Sequence, residues 1–219
     1  MVGYLQNRAW IAMGFVLLLP AAPLQAGSIH GQITYYDSGH AVEGVIVQLD
    51  GPGATSTQTN AAGQFEFTVL SESNWQISPR KQGDWRKAVS ALDAAHVLQD
   101  AAGTRTLGTE ESLACDVNGS NLLDADDVEE ILDFRVGATA RFANAVDCAS
   151  DWVFVPVPAA AANQSLLSPD IAPPCQTGAI AYDPLIGDVV DQDFVAVLLG
   201  DCTGNWPQGI LTPTATPPP

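Results

Sequence analysis

Basic residues are scarce in this chain. Eight Lys and Arg stand against 25 Asp and Glu in 219 residues, a formal net charge of −17. Phosphate backbones are held by Lys and Arg, so nucleic-acid binding is excluded as a reading of this composition. An anionic membrane surface is disfavoured for the same reason. No apolar run after residue 19 is long enough to span a bilayer. The spacing C-x-x-C is absent, which argues against a zinc ribbon. So are a G-x-S-x-G elbow, an H-E-x-x-H helix and a Gly-rich phosphate loop, and the three His stand far apart. The chain therefore reads as non-enzymatic. What it does have is acid, which suits divalent cations or solubility outside the cell, and an apolar fraction of 47%, enough for a core.

Residues 1–26 read as a signal peptide. Arg8 is followed by the apolar run Ala9–Leu19, then Pro20 and small residues, with Leu24-Gln25-Ala26 as the cleavage site before Gly27. The run is shorter than the ~20 apolar residues a span needs, so no membrane span is expected after cleavage. Export predicts that the four cysteines, Cys115, Cys148, Cys175 and Cys202, form two disulfides. Three pairings are open from sequence; joining neighbours, Cys115–Cys148 and Cys175–Cys202, is the one favoured. Residues 211–219, rich in Thr and Pro, read as an extended tail.

Residues 27–80 alternate in short runs separated by turns: Ser28–Tyr36, Val42–Leu49, Thr55–Thr59, Phe65–Phe67 and Trp75–Ile77, with Asp37-Ser-Gly39, Gly51-Pro-Gly53 and Asn60-Ala-Ala-Gly63 between them. This pattern predicts a small antiparallel β-sandwich with Phe65, Phe67 and Trp75 in its core. Gly31-Gln-Ile33, Val42-Glu-Gly-Val-Ile-Val47 and Thr59–Phe67 give it a resemblance to the carboxypeptidase-regulatory-like, transthyretin-like domains, which implies a non-catalytic architecture.

The next segment repeats itself. Asp93, Val97, Leu98 and Gly103 recur 34 residues later as Asp127, Ile131, Leu132 and Gly137. Each copy predicts a helix that begins near an Asp, carries an apolar stripe and ends at Gly. Ahead of the second helix, counting Asp116 as position 1, side-chain oxygens fall at positions 1, 3, 5, 9 and 12: Asp116, Asn118, Ser120, Asp124 and Asp127. Leu122 at position 7 offers its carbonyl. Calcium takes six to eight hard oxygens, and this alternation wraps them around one ion. Position 6 requires a left-handed backbone, which Asn121 tolerates best after Gly.

Ala91–Gln99, Cys115-Asp-Val-Asn-Gly119, Asp124, Asp127 and Ile131-Leu132 make residues 81–137 resemble a type I dockerin, a pair of calcium loop–helix repeats. The resemblance implies Ca²⁺ as cofactor and a cohesin-like domain as partner. Two departures stand out. Ser120 replaces the usual acid, and Ala91-Leu92 and Ala125-Asp126 replace the Ser/Thr pairs that carry cohesin recognition. In the first repeat, positions 1, 3 and 5 fall on Gln82, Asp84 and Arg86, so that copy cannot chelate alone.

Far downstream, Asp201, Thr203 and Asn205 carry the 1-3-5 spacing with no position 9 or 12, while Ser90 and Asp93 supply positions 9 and 12 without a front half. One expectation is a split site shared by the two; the other is that 201–205 is a disulfide-pinned turn. Asp193–Leu199 reads as helical and Asp151–Pro156 as a buried strand.

The sequence thus predicts a mixed, multi-domain chain: a β-sandwich (27–80), a dockerin-like helical pair (81–137) and a Cys-containing extension packing on it (138–210). The expected function is that of a secreted, extracellular or cell-surface calcium-binding structural module. The alternative is an accessory of polysaccharide degradation that docks to cohesin or holds cell-surface polysaccharide on Trp85 or Trp206.

Overall fold

In the computed structural model of the chain, the described residues are 26–85 and 87–206. Residues 1–25 (all but the last residue of the expected signal peptide), Arg86, and residues 207–219 with the Thr/Pro-rich stretch lie outside them.

The N-terminal strands form much as the alternation predicts: β1 (Ala26–Tyr35), β2 (Ile46–Asp50), β3 (Thr55–Gln58), β4 (Gln64–Leu70) and β5 (Trp75–Arg80). The one-on, one-off pattern of β4 buries Phe65, Phe67 and Val69 and exposes the residues between. Helices follow: α1 (Ala91–Ala101), α2 (Thr109–Cys115), α3 (Ala125–Val136) and α4 (Ala143–Asp147). Four strands close the order: β6 (Trp152–Pro156), β7 (Gln164–Leu167), β8 (Ala179–Tyr182) and β9 (Phe194–Leu198).

The strands make two sheets, ordered β4-β1-β9-β6 and β3-β2-β5-β8-β7. All pairs are antiparallel except β1 with β9, which run parallel with Ile33 opposite Phe194 and Tyr35 opposite Ala196. Residues 27–80 therefore supply only part of the sandwich. Phe142, Val153, Val197 and Leu199, from residues 138–206, share a core with the helices, and the same residues 138–206 also contribute strands to both sheets. The helices sit between β5 and β6 in the chain, and the two ends of that insertion are pinned together. Asp151, 1% exposed, accepts from Arg141 Nε at 2.7 Å and from the Gly83 amide at 2.6 Å, while its own amide donates to the Lys81 carbonyl at 2.9 Å.

The segment 193–199 is a strand, not the helix its apolar run suggested. β9 lies between β1 and β6. Its Phe194, Ala196 and Leu198 face the sandwich core, while Val197 and the following Leu199 face the helical core with Val97, Ile131, Phe142 and Val153. A strand covered on both faces loses its alternation and reads as continuous apolar sequence.

The disulfides join Cys115 to Cys202 and Cys148 to Cys175, which corrects the neighbour pairing. The reason is β9: it delivers Cys202 to the end of α2, where Gly200 N donates to the Ala114 carbonyl at 2.7 Å.

Candidate metal centre

Asp116 leaves the C-terminal end of α2 and is 5% exposed. Its Oδ1 accepts the Ser120 amide at 3.0 Å and its Oδ2 the Asn121 amide at 2.8 Å. Asp127, in the first turn of α3, is fully buried. Its Oδ1 accepts the amides of Val117 and Asn118 at 3.0 and 3.4 Å, and its Oδ2 that of Asp124 at 3.1 Å. Asp124 caps α3 by accepting the Asp126 amide at 2.9 Å. Asn118 Oδ1 accepts the Ser120 amide at 2.8 Å, and Ser120 Oγ donates to the Leu122 carbonyl at 3.2 Å.

The sequence-expected donors thus share one loop turn. Asn121 takes φ 61°, the left-handed geometry required at position 6. Gly119, at φ +73°, lies so close to the Ile171 carbonyl that a Cβ would come within 2.6 Å of it. Two neighbours were not legible in the sequence. Asn144, 1% exposed on α4, donates through Nδ2 to the Asp116 carbonyl at 2.7 Å, and Tyr35 on β1 reaches Asp201 in the downstream segment 201–205.

Burial pushes the Asp127 carboxyl up to about 6, with the Asp116 charge adding and the loop amides opposing. Burial likewise raises Asp116. Among the described residues no basic side chain pairs with Asp116, Asp124 or Asp127. Nor do any three His, Cys, Asp or Glu gather tightly enough to cage a metal by themselves. An ion here has to draw on Asn118, Ser120 and the Leu122 carbonyl as well. That donor set is all hard oxygen, which suits a hard dication such as calcium rather than zinc or copper.

The split halves also come together. The Thr203 amide donates to Asp93 Oδ1 at 2.9 Å, as Val117 and Asn118 do to Asp127. Asp201 accepts the amides of Asn205 and Trp206, at 3.2 and 3.0 Å, as Asp116 accepts those of Ser120 and Asn121. Ser90 caps α1 by accepting the Leu92 amide at 3.2 Å, as Asp124 caps α3. Tyr35 Oη adds a bond to Asp201 Oδ2 at 2.6 Å, and Tyr36 Oη one to the Asp201 carbonyl at 2.8 Å. Burial, then the Asp201 charge, raises the Tyr35 phenol far above its usual range. Gly200, at φ +88°, turns β9 into this loop beneath the Phe142 ring, which a Cβ would meet at 2.5 Å.

The two Trp offered for glycan are poorly placed. Trp206 is 3% exposed, with Nε1 donating to the Asp84 carbonyl at 2.8 Å, and Trp85 is half-buried against Phe134.

No known protein family matches the sequence, and no curated protein does. Among solved structures, a C-terminal fragment of the pilus adhesin SpaC from Lactobacillus rhamnosus GG is similar at 11% identity and a TM-score of 0.24. The match covers 28% of this chain and 27% of that one.

Proposed function

We propose that this chain is an exported, non-catalytic module that holds a calcium ion in the loop 116–127, and that the ion fixes the helical pair against the sandwich. The observation that supports this most is the pairing of Asp116 and Asp127. Two acids at positions 1 and 12 are buried in one turn, beside neutral oxygen donors, with no described cation to balance them. Asp116, Asn118, Ser120, Leu122, Asp124 and Asp127 would hold the ion. Its contribution is charge neutralisation and cross-linking; the chain's own residues supply the cage, the left-handed turn at Asn121 and the cap on α3.

Two disulfides, and no helix among the described residues long and apolar enough to cross a membrane, accord with an extracellular setting. The test is a melting curve with CaCl₂ and with EDTA, followed by titration calorimetry. Extracellular calcium sites bind at roughly 10⁻⁴–10⁻³ M. At 100 times that constant, the ion adds about 2.7 kcal/mol. An identical melt in both buffers with no heat of binding rejects the reading.

A second reading has one observation in its favour. Leu92 and Leu98 on α1 and Leu132 and Val136 on α3 are exposed, which gives the helical pair apolar positions where a cohesin-like partner would dock. A pull-down against cohesin domains, with Leu98→Glu and Leu132→Glu as controls, tests it.

A further inference from the structure

We infer that residues 90–93, in the first copy of the 34-residue repeat, and residues 201–205, far downstream of it, form a second calcium site shared between two segments of the chain. This rests on the same donor chemistry as the loop 116–127 but on different residues.

Asp93 and Asp201 are both 0% exposed, and among the described residues no basic side chain pairs with either. Two like charges withdrawn from water are costly unless a cation joins them. Their hydrogen bonds are to amides and hydroxyls: Thr203 and Ser90 on Asp93; Asn205, Trp206, Thr203 and Tyr35 on Asp201. These donors shape the site without neutralising it.

The second observation concerns Asn205. Its amide N–H is spent on Asp201, yet its side-chain Oδ1 is shut off from water and has no hydrogen-bond partner. A buried amide oxygen left unpaired calls for an explanation, and an unplaced ion is one. Asn205 stands at position 5 of the reconstructed loop, where a calcium ligand belongs. The disulfide-pinned turn accounts for Cys202 and for the bonds to Asp201. The capping box of α1 accounts for the bond from the Ser90 amide to Asp93 without neutralising the carboxylate, and the orphaned Asn205 oxygen is left without cause. Two carboxylates and the neutral oxygens of Thr203, Asn205 and Ser90 match a dication in charge and hardness.

The experiment is calcium titration calorimetry on the full chain after chelator treatment, with CaCl₂ as the only probe. Two ions are expected in the wild type, one in Asp201→Asn and one in Asp124→Ala. Asn205→Ala guards against a variant that merely fails to fold. Its Oδ1 bonds to nothing in the protein, so its melt in EDTA should match wild type, while one of the two ions should bind about tenfold or more weakly. If the wild type takes one ion, lost in Asp124→Ala and unchanged in Asp201→Asn and Asn205→Ala, the split site is overturned and the contiguous loop stands. One ion, lost in Asp201→Asn and kept in Asp124→Ala, supports the split site and rejects the other. No ion in the wild type overturns both.

Discussion

The contiguous loop and the divided one reach the same hydrogen-bond scheme from very different chain lengths. In the first, the amide of Asn118 and the carboxylate of Asp127 are 9 residues apart; in the second, the equivalent bond from Thr203 to Asp93 spans 110. Loop-closure entropy grows only with the logarithm of length, so the longer closure costs about 2 kcal/mol more. The structure places a covalent tie where that cost falls. Cys115 directly precedes Asp116, and its disulfide partner Cys202 sits between Asp201 and Thr203. The contiguous loop needs no tie of its own; the divided one depends on it. Closeness in sequence and closeness in space are thus exchangeable, provided something else fixes the ends.

The comparison breaks most sharply at that tie. Replacing both Cys115 and Cys202 by Ala opens a crosslink across 87 residues. On the chain-entropy account this costs about 4.5 kcal/mol. Thermal denaturation should fall by about 10–15 °C, and calorimetry should lose the divided site while keeping the ion at 116–127. Retention of both ions would show that the disulfide is not what closes the second loop.

A smaller effect separates the two helices. Ile131 and Val97 occupy equivalent places, both fully buried. Ile131→Ala should cost about 2–4 kcal/mol and Val97→Ala rather less, because fewer methylenes are lost. Denaturant unfolding of both variants measures the difference. Chelation comes next: EDTA should lower stability by about 2–3 kcal/mol, seen as a drop of roughly 5–10 °C in the melting temperature. Smallest are the caps. In EDTA, Ser90→Ala and Asp124→Ala should each cost about 1 kcal/mol, since each removes one N-cap acceptor. Equal losses there, set against unequal losses of calcium affinity, would sharpen the view that the two loops share a frame but differ in how they are held.

Much of this arrangement is legible in the sequence. Val97 and Ile131 each fell on the apolar stripe of their own helix, Asn121 was the residue able to adopt φ > 0, and Phe65 and Phe67 pointed to one face; these readings hold, whereas Leu98 and Leu132 beside the stripes are exposed. These are local properties, set by neighbours a few residues away. What was misread depends on distant chain. Phe194–Leu198 is apolar on both sides because two cores flank it, and periodicity cannot tell such a strand from a buried helix. The disulfide partners follow from where that strand ends. Tyr35 carried only the mark of a core aromatic; its bond to Asp201 joins residues 166 apart and leaves no trace in spacing.

The central place of β9 has a consequence for how such a chain comes to be folded. Synthesis delivers β1, β4 and the helices long before the strand that must slide between β1 and β6. Until it arrives, β1 has a bare edge and the helical core lacks Val197 and Leu199, so both wait on a late insertion. A ribosome or a translocation channel would therefore release a half-built sandwich, and the interval before the last strand docks is when this protein is most exposed to mispairing and to proteases.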